Sequence, residues 1–309
     1  MQFISTLQTQ LTYNPSKTYN TEYSNLLLHS LPNNTAFIID TFRSPITKSK
    51  TGILSKYTPE IILSELLIHM QKRNPFIKNN LSEIIIGNVL QQGSGLISSR
   101  VSQILSKINL KVPIYTVNRL CNSGLQAIIN ANNSIISGDN NIVIAGGIES
   151  MTFNNFNEML NKKQISEQFI SEDEIQKIFT PMGITNENIC KQYNISREEQ
   201  DIFAYNSHKK AILARKNGYF NKEILPIKDC NLDDCIREGI SLEKMKKLKP
   251  VFLKNGTTTA GNSSSITDGG ALTLLANLGS IKKLNIPFEK IRGRIVSYVS
   301  VGVPPEIME

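Results

Sequence analysis

The 309 residues are enough for one large domain or two smaller ones with real cores, and 40% hydrophobic content is that of an ordinary globular chain. The net charge of +8 is scattered, apart from Lys244, Lys246, Lys247, Lys249 and Lys254, and no nucleic-acid-binding module accompanies it; no apolar run reaches the length of a membrane span. The four cysteines, Cys121, Cys190, Cys230 and Cys235, form no dense framework, which points to a reducing, intracellular compartment.

Residues 1–35 are polar and rich in Asn and Thr, lack the features of a secretory signal, and read as a disordered leader. From residue 36 apolar runs and amphipathic stretches alternate. Phe37-Ile38-Ile39-Asp40 reads as a buried strand. Thr58-Pro59-Glu60 opens a helix, with a capping residue, proline at the first helical position and an acid in the first turn. Its apolar positions are Ile62, Leu63, Leu66, Leu67 and Met70, and Asn74-Pro75 ends it. Ile84-Ile85-Ile86-Gly87 is a second strand, residues 97–108 a second helix and residues 113–117 a third strand. In the next helix Leu125, Ile128, Ile129, Asn132 and Ile136 recur at helical spacing, which predicts one apolar face. Gly138-Asp139 closes it, and Ile142-Val143-Ile144-Ala145 is a fourth strand. This βαβαβαβ order predicts an α/β fold with a mostly parallel sheet and helices on its faces.

After Gly146-Gly147 the rhythm breaks. Residues 151–181 are polar and irregular, Ser196-Arg197-Glu198-Glu199 is a capping box for a helix that ends at Gly218, and residues 227–249 are charged and loop-like. Regular structure returns with Asp268-Gly269-Gly270-Ala271-Leu272-Thr273-Leu274-Leu275, so residues 151–260 read as an insertion between two parts of one sheet. Arg294 to Val301 reads as one more strand.

Cys121 carries the chemical signal. It stands between the third strand and the helix after it, with the helix-start residues Asn122 and Ser123 behind it. Free backbone N–H groups and the positive end of a helix dipole favour a thiolate at such a place. Cys230 and Cys235 have the spacing of a metal pair, but none of the three histidines stands near a cysteine at ligand spacing. They read as unrelated thiols on a polar loop, and no metal site is expected. The lysines at 244–254 read either as a solvated face or as a contact for a phosphate-bearing small molecule.

Nine segments resemble the thiolase family, and within it the peroxisomal type of 3-ketoacyl-CoA thiolase. They are Thr41 to Ile46, Gly87 to Gly93, Val117 to Ala127, Gly146 to Met151, Pro181 to Thr185, Ile195 to Glu198, Leu248 to Phe252, Gly256 to Ser264 and Val301 to Met308, in the family's order. The resemblance implies a thiolase-like N-terminal βαβαβαββ layered domain, residues 36–150 and 261–290, holding the inserted loop domain 151–260. Residues 291–309 match the start of the family's second half, the rest of which is missing from this chain.

The resemblance further implies an acetyl-CoA C-acyltransferase of fatty-acid β-oxidation. Cys121 takes the acyl group of a 3-ketoacyl-CoA, acetyl-CoA leaves, and coenzyme A, a co-substrate rather than a resident cofactor, accepts the acyl group. Met182, Phe252, Ala260 and Ser264 match the wall of the pantetheine channel; by themselves Met182 and Phe252 read as core packing. The family's activating histidine, its asparagine and its second cysteine belong to the second half and have no counterpart here, and His29, His69 and His208 read as ordinary surface or helix histidines. Low activity of the chain alone is therefore expected, with an inactive remnant that binds CoA or a thiolase subunit as the alternative. A ketoacyl synthase fits the Gly87 to Gln91 and Thr259 to Ser264 segments less well. A homodimer, or pairing with a full-length thiolase, follows from the family's dimer contact. The helix after Cys121 would leave an apolar face uncovered without a second half. Residues 26–30 lie where a peroxisomal address would end, with Glu22 in place of its basic residue and Ser30 in place of leucine; peroxisome is the first expectation and mitochondrion the second.

Overall fold

The computed structural model describes residues 30–156 and 165–308. The address-like segment before Ser30, with His29 and most of the leader, lies outside the described residues. Leu31 already packs against the core.

Five strands, β1 (Ala36–Arg43), β3 (Glu83–Gly87), β4 (Ile114–Val117), β5 (Ile142–Ser150) and β6 (Thr267–Asn277), form one sheet in the order β1-β6-β5-β3-β4. The two-residue strand β2 (Thr47–Lys48) pairs beside them with β6. The pairs β3–β4 and β3–β5 are parallel, while β6 runs antiparallel to both β1 and β5. The expected mostly parallel sheet is thus a mixed one. The first four long strands point the same way, as the alternating pattern implies, but the returning chain wedges β6 between β1 and β5 in the opposite direction. Nothing in the apolar run 268–275 carries that direction.

Helix α1 (Pro59–Arg73) covers one face of the sheet. Its Ile62, Leu63, Leu66, Leu67 and Met70 are buried against Ile84, Ile86, Ile144, Leu272 and Leu274. Helix α3 (Ser123–Ser137) covers the other face, against Ile85, Val143, Ala145 and Leu275. Successive strand residues alternate between these two cores, which is why the strands read as continuous apolar runs. Helix α2 (Leu96–Leu105) packs beside α1 and ends before the expected Ile108, because Lys107 takes a left-handed φ of 59°.

The buried stripe of α3 meets the expected one in part, with Ile129 and Asn132 buried. Ala127, Ala131 and Ile135 face the sheet, with Ile128 packed beside them, whereas Leu125 is 58% and Ile136 48% exposed. Small alanines let the helix lie close to the sheet, and a reading that favours large residues misses them. Gly138, at φ 91°, closes α3 as expected. Residues 294–301 form no strand: Gly293 bridges to Ile38, and the chain beyond runs past α3, held by Arg119 to Ser300 Oγ at 2.7 Å and Asn133 to the Tyr298 hydroxyl at 2.6 Å. The chain touches the edge strand β1 through Arg292 and Gly293 at Ile38, and residues 294–301 do not extend that pairing into a strand, so β-branched residues alone do not make one.

In the segment between β5 and β6, helices α4 (Met182–Tyr193) and α5 (Arg197–Lys216) are the long elements. The capping box at Ser196 forms in full: its side chain accepts from the Glu199 N–H, and the Glu199 carboxylate accepts from the Ser196 N–H at 2.8 Å. Cys230 is fully buried in the main core rather than on a polar loop.

Candidate active site

The site lies where β3 and β5 end and α3 begins. Gly87 ends β3 so close to α3 that a Cβ there would lie 2.4 Å from the Ser123 carbonyl carbon, and one on Gly147 would lie 2.9 Å from the Gly87 oxygen. The bare backbone at these positions lets the start of α3 sit directly on the sheet. Cys121 precedes that start by two residues and is exposed. Asn122 does not cap the helix with its side chain; its backbone (φ −89°, ψ 6°) is already nearly helical. The Ser123 hydroxyl organises the turn instead, accepting the Arg119 N–H at 2.9 Å and donating to the Leu120 carbonyl at 2.5 Å.

A cavity of about 530 Å³ opens beside the thiol. The sheet side supplies Gly87 to Leu90, Cys121, Ile148 and Glu149, and the opposite side supplies Met182 and Ser264 to Thr267. An apolar cleft of this size with few polar groups suits a thin organic ligand.

Each wall is fixed by a carboxylate. On the sheet side, half-buried Glu149 accepts the N–H groups of Val89 at 2.9 Å and Leu90 at 3.1 Å, and Asn88 Nδ2 at 3.3 Å. Burial pushes its carboxyl above the ordinary value, against the pull of these hydrogen bonds. On the far side, Glu187 of α4 accepts the Thr257 and Thr258 N–H groups at 2.9 and 2.7 Å. Burial works to raise it, and the bonds from Thr258 and Thr257 outweigh that and hold it below its ordinary value. Asp201 of α5 accepts from Arg197 at 2.8 Å and from Asn262 at 3.0 Å, pinning the same loop further along.

Of the residues expected on the ligand channel, Met182 and Ser264 line the cavity with Cys121, and Phe252 and Ala260 do not. The Phe252 ring packs over Gly183, where a Cβ would lie 2.2 Å from it, so it props the first turn of α4 beneath Met182. Ala260 is exposed, and its carbonyl accepts from Arg237 at 3.1 Å. Ser264 also lines an adjoining space of about 290 Å³ with His208, Cys235, Arg237 and Ser263. There His208 accepts the Arg237 N–H at 3.2 Å, and burial first, then Arg237, lowers its pKa. Burial raises Cys235 to about 11.

His69 stands on α1, away from the cavity. Two of the lysines are otherwise engaged, Lys244 with the Gly239 carbonyl at 3.2 Å and Lys246 with Glu198 at 3.3 Å. Among the described residues no group of three His, Cys, Asp or Glu is placed to hold a metal, and no helix is long and apolar enough to cross a membrane. Sequence reasoning missed Glu149 and Glu187 as individuals. The signal for Glu149 was an acid at the end of the apolar run Ile142 to Ile148, a costly residue unless something holds it.

A mixed sheet between two helical layers, with an exposed cysteine before a helix and an apolar cleft beside it, defines an α/β protein that presents a thiol to a cleft. Residues 36–278 match the family described as "Thiolase, N-terminal domain". Peroxisomal 3-ketoacyl-CoA thiolase B of Mus musculus is 38% identical over 279 residues, 86% of this chain and 64% of that protein. A probable acetyl-CoA acyltransferase of Staphylococcus aureus is 39% identical over 287 residues, 86% of this chain and 71% of that one. The dimeric peroxisomal thiolase of Saccharomyces cerevisiae superposes with a TM-score of 0.84 at 36% identity, covering 92% of this chain and 74% of its own. The chain belongs to the thiolase family, and it spans 64% of the length of the mouse relative.

Proposed function

We propose that the protein acts on acyl-CoA as a 3-ketoacyl-CoA thiolase does, with Cys121 as the acyl acceptor and the cavity as the berth of the pantetheine arm. The observation that carries this reading is the meeting of Cys121, Met182 and Ser264 on one apolar cleft, in a chain whose relatives bear thiolase and acyltransferase names. The Cys121 sulfur attacks the 3-keto carbon, the bond between C2 and C3 breaks, and its electron pair leaves on C2 of acetyl-CoA, which takes up a proton. The acyl group then passes from Cys121 to the sulfur of coenzyme A, and the thiol proton of CoA is released as the cysteine regains its own.

No histidine lines the cavity among the described residues. General bases and oxyanion donors are each worth on the order of a hundredfold or more. The 309-residue polypeptide alone therefore accepts an acyl group with slow turnover. An assay of acetoacetyl-CoA thiolysis on the purified chain tests both parts. Cys121-dependent acylation with weak turnover is expected; turnover near that of full-length thiolases contradicts the second part, and loss of acylation contradicts the first. A catalytically silent chain that binds CoA or a thiolase subunit is the second reading, favoured by the exposed apolar residues Leu120, Leu125 and Ile136 around α3. Self-association, or co-purification with a full-length thiolase subunit, is what sedimentation would show. Peroxisomal residence is proposed from the names of the mammalian relatives, and imaging of the tagged full-length chain checks it.

A further inference from the structure

We infer that Glu149 is a positioning residue for Cys121, acting through the loop after β3 and the side chain of Asn118; this rests on Cys121 being the acyl acceptor. The relay is continuous. One oxygen of Glu149 takes the Val89 and Leu90 N–H groups, at 2.9 and 3.1 Å. The loop they belong to is fixed at its start by buried Asn88, whose Nδ2 donates to the Ile148 carbonyl at 2.6 Å and whose Oδ1 accepts the Gln91 N–H at 3.0 Å. Held in this way, the Val89 carbonyl accepts Asn118 Nδ2 at 3.2 Å, and Asn118 Oδ1 accepts the Leu120 N–H at 3.0 Å.

Leu120 is where the relay acts. Its φ is 46°, in the left-handed region that a leucine enters only under constraint. Cys121 follows directly, so the direction of its thiol depends on a bend that surrounding hydrogen bonds must impose. Glu149 is also the one carboxylate among the described residues lining the cavity. An acid kept in an apolar wall, spending its acceptors on backbone N–H groups, is costly to retain for a mere strand-to-loop tie. Aligning the nucleophile gives it a purpose.

The test uses the full chain and four proteins: wild type, Glu149→Gln, Asn118→Ala and the double variant. Transfer of the acetyl group from acetyl-CoA to Cys121 is followed by peptide mass spectrometry, with iodoacetamide as a geometry-tolerant probe of the same thiol. Each single variant is expected to slow acetyl transfer on the order of tenfold or more while alkylation changes little, because attack on a bound thioester depends on alignment. The double variant is expected to be no slower than the slower single one, since both lie on one path. Equal rates in all four proteins, or effects that multiply in the double variant, overturn the proposal. Labelling of buried Cys190 and Cys230 reports unfolding; if Glu149→Gln unfolds, Asn118→Ala, at an exposed position, decides alone by the same two rates. A wild type that accepts no acetyl group refutes the functional reading instead. The relay is then read by amide hydrogen exchange, where Glu149→Gln must accelerate residues 118–122 as well as 88–91, and acceleration confined to 88–91 refutes it.

Discussion

The two walls of the cavity are held by opposite means. The sheet wall rests on two apolar cores, with Ile84, Ile85, Ile86, Val143 and Ile144 all buried, and Glu149 is the one carboxylate among the described residues that lines the cavity. The insertion wall has few buried apolar residues; α5, at twenty residues, buries only Asp201, and the loop that carries Ser264 hangs on Glu187, Asp201 and Asn262. Packing, which is non-directional and strong in sum, holds the sheet behind Cys121, while directed bonds between charges and backbone hold the loop that carries Ser264.

The largest expected effect lies in the sheet. Leu66→Ala removes a fully buried side chain between α1 and the strands, and denaturant unfolding should show a loss of about 2–5 kcal/mol. A loss below about 1 kcal/mol breaks the claim that packing holds this wall. Glu187→Gln comes next, at about 1–3 kcal/mol, because the Thr257 and Thr258 N–H groups lose a charged acceptor. Its pH dependence sharpens the comparison. Glu187 lies below its ordinary value, so its stabilisation is complete above the ordinary carboxylate range and is lost as pH falls through the lowered folded value. Glu149 lies above its ordinary value, so the folded chain gains relative stability as pH falls through the raised folded value. The stability difference between wild type and Glu187→Gln should therefore shrink on acidification, and that between wild type and Glu149→Gln should grow. Parallel curves would show that the two acids are not held differently. Ser196→Ala, which breaks the capping box of α5, should cost about 1 kcal/mol in thermal unfolding. The smallest effect is on the ligand: Ser264→Ala should weaken CoA binding by about 0.5–1.5 kcal/mol in calorimetry, with unfolding unchanged.

The same contrast explains what the sequence disclosed. Apolar periodicity marks α1 and the strands because burial itself writes that pattern, and Cys121 stands out because a strand and a helix frame it. The direction of β6 escapes, since a run of small apolar residues fits either direction. Part of the buried face of α3 escapes, because Ala127 and Ala131 achieve closeness rather than bulk, while Ile129 and Asn132 were legible by their spacing. The placement of Met182 and Ser264 on the cavity follows the family motifs, whereas Phe252 and Ala260 share those motifs without reaching the cavity. Motif position gives the loop, and only the packing over Gly183 and the bond from Arg237 show which way each residue is turned. Glu149, Asn118 and Glu187 were legible as residue types but not as partners, because their bonds join segments far apart in the chain.

The most direct measurement is the mass of the acyl adduct after brief reaction of the purified chain with acetoacetyl-CoA, mapped by peptide. The account predicts one acetyl group, on Cys121, absent from Cys121→Ala and blocked by prior occupation of the cavity with a non-hydrolysable CoA thioether. An unmodified chain, or an adduct that persists in Cys121→Ala, would contradict it.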